Sequence, residues 1–143
     1  MIAIDTNILI YSHRVDSEWH VEAAEAIRRV AEGRTSWAIP WPCIHEYLAI
    51  VTHPRIYDPP STAEQALAQV DAWFESPSIE LLNESADYWP TLKSQIQTGR
   101  VTGPRMHDAR IAAVCLNHGV TEFWTADRDF NRFPGLSCQN PLF

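Results

Sequence analysis

The chain has 143 residues, the usual length of one domain, and 45% of them are hydrophobic, which excludes an intrinsically disordered chain. Its formal net charge of −7, from 18 acidic and 11 basic side chains, argues at first against a nucleic-acid partner, because phosphates repel such a surface. No apolar run is long enough to span a membrane and the N-terminus lacks the basic flank of a signal peptide, so we expect one domain over residues 1–143 without membrane attachment.

The first predicted elements are a short strand and a helix. Residues 2–4 form an apolar run, typical of a buried strand, that ends at Asp5 and leads into a polar turn at Thr6 and Asn7. Apolar residues then recur along one face of a helix predicted over 17–32, which ends before a glycine. Asp5 is therefore placed at the end of a strand.

The next segment repeats this order of strand and helix. Residues 35–39 have the pattern of a second strand, and Pro42 is well placed in the first turn of a helix that runs to about Thr52. Glu46 lies in the first two turns of that helix. A proline-rich loop over 53–60 follows.

Two helices and a strand are predicted after the proline-rich loop. The S-T-A-E sequence at 61–64 indicates a capping box that opens a helix. Its predicted apolar side consists of Ala63, Ala66, Leu67, Val70 and Phe74. Residues 79–82 favour a short strand, and a helix is predicted over 86–98, capped by Ser85 and closed by Gly99.

The last predicted pair is a helix that Asp108 opens and Gly119 ends, followed by a strand over 120–125 that stops at Asp127. Because helices and short strands alternate throughout, we predict an α/β fold with a short, mostly parallel central sheet and helices on both faces. Ligands of such folds bind beyond the carboxyl ends of the strands. Asp5 and Asp127 both fall at this edge.

Cysteine, glycine and histidine patterns exclude several classes of protein. The three cysteines have no C-x-x-C spacing, which argues against a disulfide framework or zinc ribbon and favours a reducing, cytoplasmic location. The five glycines are scattered, so neither a phosphate-binding loop nor a dinucleotide fingerprint is present. None of the six histidines belongs to an H-E-x-x-H motif, which excludes zinc protease chemistry.

Acidic side chains mark the predicted ends of strands and starts of helices. They are Asp5, Glu46, Asp108 and Asp127, with Asp129 as a fifth candidate. Each alone could be a helix cap, a turn residue or a solvated charge. Gathered together, carboxylates repel one another and raise each other's pKa unless a hard cation such as Mg²⁺ or Mn²⁺ neutralises them. Their joint placement therefore predicts a metal site.

Several motifs, in order and spacing, resemble the PIN-domain ribonucleases, and within them the VapC toxins of toxin–antitoxin pairs. These motifs are I-D-T-N-I-L-I, P-C-I-H-E-Y-L, T-H-P-R-I-Y-D-P-P, H-D-A-R-I-A-A-V-C-L-N-H-G-V, W-T-A-D-R-D-F, F-P-G-L and N-P-L. They extend over nearly the whole chain, so the resemblance implies a PIN-like fold. Trp124 departs mildly from the pattern, as does His107 before the third acid, but no acid is missing.

The resemblance also implies a site and an activity. It places the catalytic and metal-binding acids at Asp5, Glu46, Asp108 and Asp127, with Asp129 as a further metal ligand. It makes Thr6, Asn7 and Thr125 supporting residues. The implied activity is hydrolysis of RNA phosphodiester bonds by a Mg²⁺- or Mn²⁺-dependent endoribonuclease, in which the cation activates and orients a water. Asp5 and Asp108 are the expected main ligands.

The resemblance further implies partners: an RNA substrate (transfer, ribosomal or messenger RNA), a cognate antitoxin protein and a second copy of the chain in a homodimer. Without the five site acids, 13 acidic side chains face 11 basic ones, so the remaining surface is close to neutral. Six basic residues lie between positions 93 and 132. Among them, Arg100, Arg105 and Arg128 are our candidates for RNA contacts.

Three other functions remain open from the sequence. One is a stand-alone RNA-processing nuclease with the same chemistry, and another is a non-catalytic module that binds RNA or protein. The third is an aspartate-based phosphatase, because Asp5 also stands where a nucleophilic aspartate would follow a first strand. Such enzymes typically carry a second aspartate two positions on, where this chain has Asn7.

Overall fold

A computed structural model describes all 143 residues and contains one five-stranded sheet. The strands are β1 (Ile2–Ile4), β2 (Trp37–Pro40), β3 (Ile79–Leu82), β4 (Glu122–Trp124) and β5 (Cys138–Gln139). They lie in the order β3-β2-β1-β4-β5, and every neighbouring pair is parallel. The predicted α/β fold is confirmed, with a sheet that is parallel throughout.

Six helices connect the strands. They are α1 (Thr6–His13), α2 (His20–Glu32), α3 (Trp41–Val51), α4 (Ala63–Phe74), α5 (Tyr88–Gly99) and α6 (Met106–Asn117). The chain builds outward from β1 in both directions, to β2 and β3 on one side and to β4 and β5 on the other. Because parallel crossovers are right-handed, this order puts helices on both faces of the sheet. It also opens a crevice between β1 and β4, where the direction of winding changes.

The core is built from the central strands and the inner faces of the helices. Ala3 and Ile4 of β1 are fully buried, as is Phe123 of β4, as expected for parallel strands that are covered on both faces. In all, 32 buried residues form a single hydrophobic cluster. The edge of the sheet near the candidate acids is therefore held by a rigid apolar layer.

The predicted polar turn at Thr6 and Asn7 is wrong, because a helix begins there. Asp5 is the N-cap of α1 and its Oδ1 accepts a hydrogen bond of 2.8 Å from the Thr6 backbone N–H. Ile8, Leu9 and Ile10 are buried in succession. A helix with apolar residues on several sides lacks the amphipathic period by which helices are recognised in a sequence.

The start of α4 also differs from the prediction. Thr62 and Gln65 form the capping box of α4 in place of Ser61 and Glu64, because each side chain bonds the other's backbone N–H. The buried residues of α4 are Ala66, Val70 and Trp73, which share one face of the helix by their spacing. Of the predicted apolar side, Ala63 and Leu67 are exposed.

Further corrections concern the second half of the chain. Gly99 is the last residue of α5 and not its terminator, since Arg100 takes the left-handed conformation (φ 50°) that ends the helix. Asp108 is the third residue of α6 and does not open it. The two-residue strand β5 is an element that the sequence does not predict. No helix is both long and apolar enough to cross a membrane.

Candidate functional site

The acid-bearing edge of the sheet begins where β1 and β4 end side by side. The Asp5 backbone N–H donates a 2.9 Å hydrogen bond to the carbonyl of Trp124, so the pairing of the two strands continues one residue past β1. The next residues on each strand are thus brought together: Asp5 and Thr6 from one, Thr125 and Asp127 from the other. This is the position that a change in winding direction predicts for a ligand site.

Asp5 lies deepest in the site, with only 4% of its surface exposed. Its Oδ2 accepts hydrogen bonds from the Thr125 hydroxyl at 2.7 Å and from the Asn7 amide at 3.3 Å. Its Oδ1 accepts from the Thr6 backbone N–H, and the Cys43 thiol lies 3.8 Å away. These donors fix the orientation of the carboxyl group.

Burial raises the pKa of Asp5 to about 7, because water no longer solvates the charged form. The hydrogen bonds from Thr125 and Thr6 oppose this rise, and the neighbouring charges of Glu46 and Asp108 add to it. A positive charge placed beside Asp5 would favour its ionised form. The surroundings of Asp5 therefore lack the positive charge that would stabilise its buried carboxylate.

Glu46 reaches the same place from α3. It lies one turn into the helix, which starts directly after β2, and its side chain is half-buried. Its Oε2 accepts a 2.9 Å hydrogen bond from the Thr6 hydroxyl, and no hydrogen bond within the chain involves Oε1. Thr6 thus bonds Asp5 through its backbone and Glu46 through its side chain.

Three further acids gather around one guanidinium group at the mouth of the site. Arg105 Nη1 lies 3.1 Å from Asp108 Oδ2 and 3.4 Å from Asp127 Oδ2, and Nη2 pairs with Asp129. Partial burial raises the pKa of Asp108, and the hydrogen bond from Arg105 opposes the rise. Arg105, predicted to contact RNA, is held here by carboxylates.

Thr125 and Asn7 connect the deep and the outer acids. The Thr125 hydroxyl donates to Asp5 and accepts a 3.0 Å hydrogen bond from the backbone N–H of Asp127. The Asn7 amide donates to Thr125, and its oxygen accepts from the backbone N–H of Ala126 at 3.2 Å. These contacts hold the loop after β4 against the start of α1.

Four of the predicted acids line one open pocket of about 190 Å³, which we call the acid pocket. They are Asp5, Glu46, Asp108 and Asp127. Asp129 does not line it but contributes through Arg105. Arg128 lines a neighbouring pocket that shares Asp127. Arg100 lies at the end of α5 and lines none of these pockets.

The acid pocket fits a divalent cation by its donor chemistry. No group of three or more His, Cys, Asp or Glu side chains is close enough together to hold a metal ion directly. Three carboxylates nevertheless converge on one positive charge, the guanidinium of Arg105. Mg²⁺ usually keeps several waters and binds through one or two carboxylates, so it needs no preformed cage. The carboxylates present therefore fit Mg²⁺ or Mn²⁺ by their chemistry, and Arg105 is the positive charge that they hold in this structure.

Two contacts of the site were not predicted from the sequence. Cys43 is buried against Asp5, and burial raises the pKa of its thiol well above the usual value. Its position three residues before Glu46 on α3 was an available signal, since such residues share a helix face. Arg105 stands three residues before Asp108, and this spacing also permits their ion pair.

The sequence of residues 2–136 matches the PIN domain family. The match extends over most of the chain, so this protein belongs to that family, and the resemblance drawn from the motifs is confirmed. Ribonuclease VapC48 of Mycobacterium tuberculosis is 26% identical over 138 residues, which are 96% of this chain and 95% of that protein. Ribonuclease VapC43 of the same organism is 28% identical over 142 residues, 99% of this chain and 96% of that one.

Solved structures share the fold. VapBC2 from Rickettsia felis, crystallised with a DNA fragment from its promoter, aligns with a TM-score of 0.69 at 21% identity over 98% of both chains. VapC20 from Mycobacterium tuberculosis, described as a Sarcin-Ricin loop cleaving toxin, aligns with a TM-score of 0.68 at 14% identity, covering 92% of this chain and 93% of that one. At these identities the likeness concerns the fold.

Proposed function

We propose that this protein is a Mg²⁺- or Mn²⁺-dependent endoribonuclease that acts as the toxin of a toxin–antitoxin pair. The observation that carries the proposal is the acid pocket, in which Asp5, Glu46, Asp108 and Asp127 from four separate segments of the chain face one opening. Membership of the PIN domain family and the names of the VapC relatives support it.

In this proposal the acid pocket would hold the cation through Asp5 and Asp108, with Asp127, Asp129 and Glu46 completing the ligand set through water. The bound cation supplies Lewis acidity and an activated water for attack on phosphorus. Thr125 and Thr6 keep the Asp5 carboxylate in position through the hydrogen bonds described above.

Glu46 is the acid that we propose to orient the attacking water. Its Oε2 is held by the Thr6 hydroxyl, which leaves Oε1 free to accept a proton from the water. With a cation held by the acids, Arg105 would no longer be needed to neutralise them, and its guanidinium would be available to the scissile phosphate as a charge-assisted donor. This would restore the role in RNA contact that the sequence predicts for it.

The partners are part of the proposal. The solved relatives include toxin–antitoxin complexes, such as VapBC2 of Rickettsia felis and the VapBC of Salmonella typhimurium. We propose that this chain is likewise inhibited by a cognate antitoxin and that it forms a homodimer. Co-expression with the product of a small neighbouring gene, followed by light scattering of the purified species, tests both statements.

The function is tested by induced expression of the wild type beside Asp5→Ala and Asp108→Ala, with Asp71→Asn on the exposed face of α4 as a control. Growth and the ends of total RNA are read together. We expect growth arrest and new discrete RNA ends for the wild type and the control only. Identical behaviour of all four soluble proteins contradicts the catalytic proposal.

A non-catalytic RNA-binding module is the second candidate, and the ion pairs of Arg105 favour it. If the Arg105 guanidinium stays paired with its three carboxylates, it neutralises them in place of a metal ion. Such a module would bind RNA equally well with EDTA and with Mn²⁺ and would cut none. Cleavage in Mn²⁺ that EDTA abolishes excludes this candidate.

A further inference from the structure

A second pocket, of about 290 Å³, adjoins the acid pocket and shares Glu46 with it. Besides Glu46, it is lined by Pro42, His45, Ala49, His107 and Arg110. We call it the histidine pocket. It lies between α3, which supplies Glu46, Pro42, His45 and Ala49, and α6, which supplies His107 and Arg110.

The sequence explains why the two pockets are adjacent. His45 directly precedes Glu46, and His107 directly precedes Asp108. Successive residues of a helix point about 100° apart, so each histidine lies on the helix face next to the one that carries the acid. The facing sides of α3 and α6 thus form one pocket of acids and, beside it, one of imidazoles.

The histidine pocket has side chains that are free to bind a ligand. His45 and His107 are exposed, and neither makes a hydrogen bond within the chain. Arg110 donates from Nε to Glu84 Oε1 at 2.9 Å, and its Nη2 lies 2.7 Å from the same oxygen. Its Nη1 has no partner in the chain.

The charge of the histidine pocket does not favour a phosphate. Arg110 is its only permanent cation, and the carboxylates of Glu46 in the lining and Glu84 beside Arg110 offset that charge. Planar imidazole rings and a guanidinium suit an unstacked RNA base, because bases stack on histidine rings and on arginine. Ala49 is exposed in the lining and supplies apolar surface beside the rings, whereas Pro42 is buried.

Glu84 prepares Arg110 to read the edge of a base. It bonds the Nε side of the guanidinium and leaves the outer edge, with Nη1 and the second N–H of Nη2, free to donate two parallel hydrogen bonds. Among the bases, guanine presents two adjacent acceptors, O6 and N7, to such a pair of donors.

We propose that the histidine pocket binds one unpaired base of the RNA next to the scissile phosphate and that Arg110 selects guanine there. The proposal rests on RNA being the substrate, as argued above, and adds the position and identity of the recognised base. His45 and His107 provide stacking surfaces, which do not discriminate among bases. Arg110 provides the discrimination.

The test is binding of fluorescein-labelled RNA hexamers in EDTA, measured by fluorescence anisotropy. Each hexamer consists of uridines except at its third position, which is guanosine, adenosine or uridine. For the wild type we expect the guanosine hexamer to bind about tenfold more tightly than the other two. Arg110→Gln should remove this preference and change uridine binding less than about twofold. The double variant His45→Ala, His107→Ala should weaken all three hexamers by about tenfold.

Arg28→Gln is the matched control, since Arg28 is also an exposed helical arginine held by carboxylates, Glu25 and Glu32, but lies on α2. It should bind as the wild type does, and circular dichroism should show every variant folded. The proposal is overturned if the wild type shows no guanosine preference or no measurable binding. It is also overturned if Arg110→Gln weakens all three hexamers equally, which would make Arg110 a phosphate contact.

A second arm separates this proposal from the proposed function. Cleavage ends are mapped in total RNA treated with Mn²⁺ and wild type or Arg110→Gln. Cleavage with guanosine at one fixed distance from the cut, lost in Arg110→Gln, supports both proposals. Cleavage without such a bias removes the base pocket and leaves the nuclease. A guanosine preference in binding without any cleavage removes the nuclease and leaves the base pocket.

Discussion

The two sides of the acid pocket stabilise their carboxylates by different means. On the inner side, Asp5 is buried and held by neutral donors, with no cation in contact. On the outer side, the Asp108, Asp127 and Asp129 side chains are 21%, 36% and 42% exposed and share the guanidinium of Arg105. The inner side is thus rigid and short of positive charge, and the outer side has an exchangeable positive charge.

This difference explains how one pocket can hold a carboxylate in a fixed orientation and still accept a cation. The inner donors fix the Asp5 oxygens, but hydrogen bonds alone leave its pKa near neutrality, so the site gains from a cation. The outer ion pairs are partly exposed to solvent, which weakens the attraction between their charges. We therefore propose that a divalent cation displaces Arg105 without disturbing the inner framework.

The largest expected effect is on RNA cleavage. Asp5→Asn and Asp108→Asn each remove one carboxylate charge from opposite sides of the pocket, and either should lower the cleavage rate by at least about a hundredfold. Asp71→Asn, an equivalent change on an exposed face of α4, should leave the rate unchanged. Cleavage by purified protein in Mn²⁺ measures this. Full activity of Asp108→Asn would restrict the catalytic site to the inner side.

The second effect is on stability and its dependence on pH. A carboxyl pKa that rises from 3.8 to about 7 on folding costs roughly 4 kcal/mol at pH values above both. Because the folded state binds the proton of Asp5 more tightly than the unfolded state does, the cost is absent below about pH 4. The free energy of unfolding therefore falls as the pH rises from about 4 through 7. Asp5→Asn has no proton to lose.

In EDTA at pH 8, Asp5→Asn should therefore be more stable than the wild type by about 2 kcal/mol, after allowance for weakened hydrogen bonds. At pH 4 this advantage should disappear. Urea unfolding of both proteins between pH 4 and 8 measures the difference. Parallel curves over this range would show that Asp5 keeps an ordinary pKa and would remove the contrast between the two sides.

A smaller effect is expected from the threonine that joins the two sides. Thr125→Val removes the donor to Asp5 and the acceptor for the Asp127 backbone N–H, so it should destabilise the fold by about 1–2 kcal/mol. It should also move the loss of stability to higher pH, since its hydrogen bond lowers the pKa of Asp5. Thr6→Val, which removes only the bond to Glu46, is the control. Unchanged pH dependence in Thr125→Val would contradict this role.

The smallest effect is expected for Arg105→Gln in EDTA. Ion pairs that solvent reaches contribute little, and those of Arg105 are partly exposed, so the melting temperature should change by less than about 2 °C. Differential scanning calorimetry at low and high salt measures it. A large loss of stability would mean that Arg105 is a structural part of the outer side and is not exchangeable.

The parts of the fold with regular sequence patterns were predictable. The strand over Ile79–Leu82 and the helix that begins around Pro42 follow from an apolar run and a proline at the first turn. The helix α1 was not predictable, because its buried Ile8, Leu9 and Ile10 in succession resemble a strand or turn flank more than an amphipathic helix. The strand β5 has only two residues, too few for any period.

The acids of the candidate site were predictable because strand ends and helix starts converge in a parallel sheet. Their electrostatics were not. Sequence spacing permits the pair of Arg105 with Asp108, but its contacts with Asp127 and Asp129 depend on how α6 packs beside the loop after β4. The pKa of Asp5 likewise depends on burial, which a sequence indicates only through neighbouring apolar residues.

Titration of Mn²⁺ into wild type, Arg105→Gln and Asp108→Asn by isothermal calorimetry tests most directly whether the two sides form one cation site. We predict that the wild type binds Mn²⁺, that Arg105→Gln binds it about three- to tenfold more tightly because no guanidinium competes, and that Asp108→Asn loses at least about tenfold. Absence of Mn²⁺ binding to the wild type, or weaker binding to Arg105→Gln, would contradict the account.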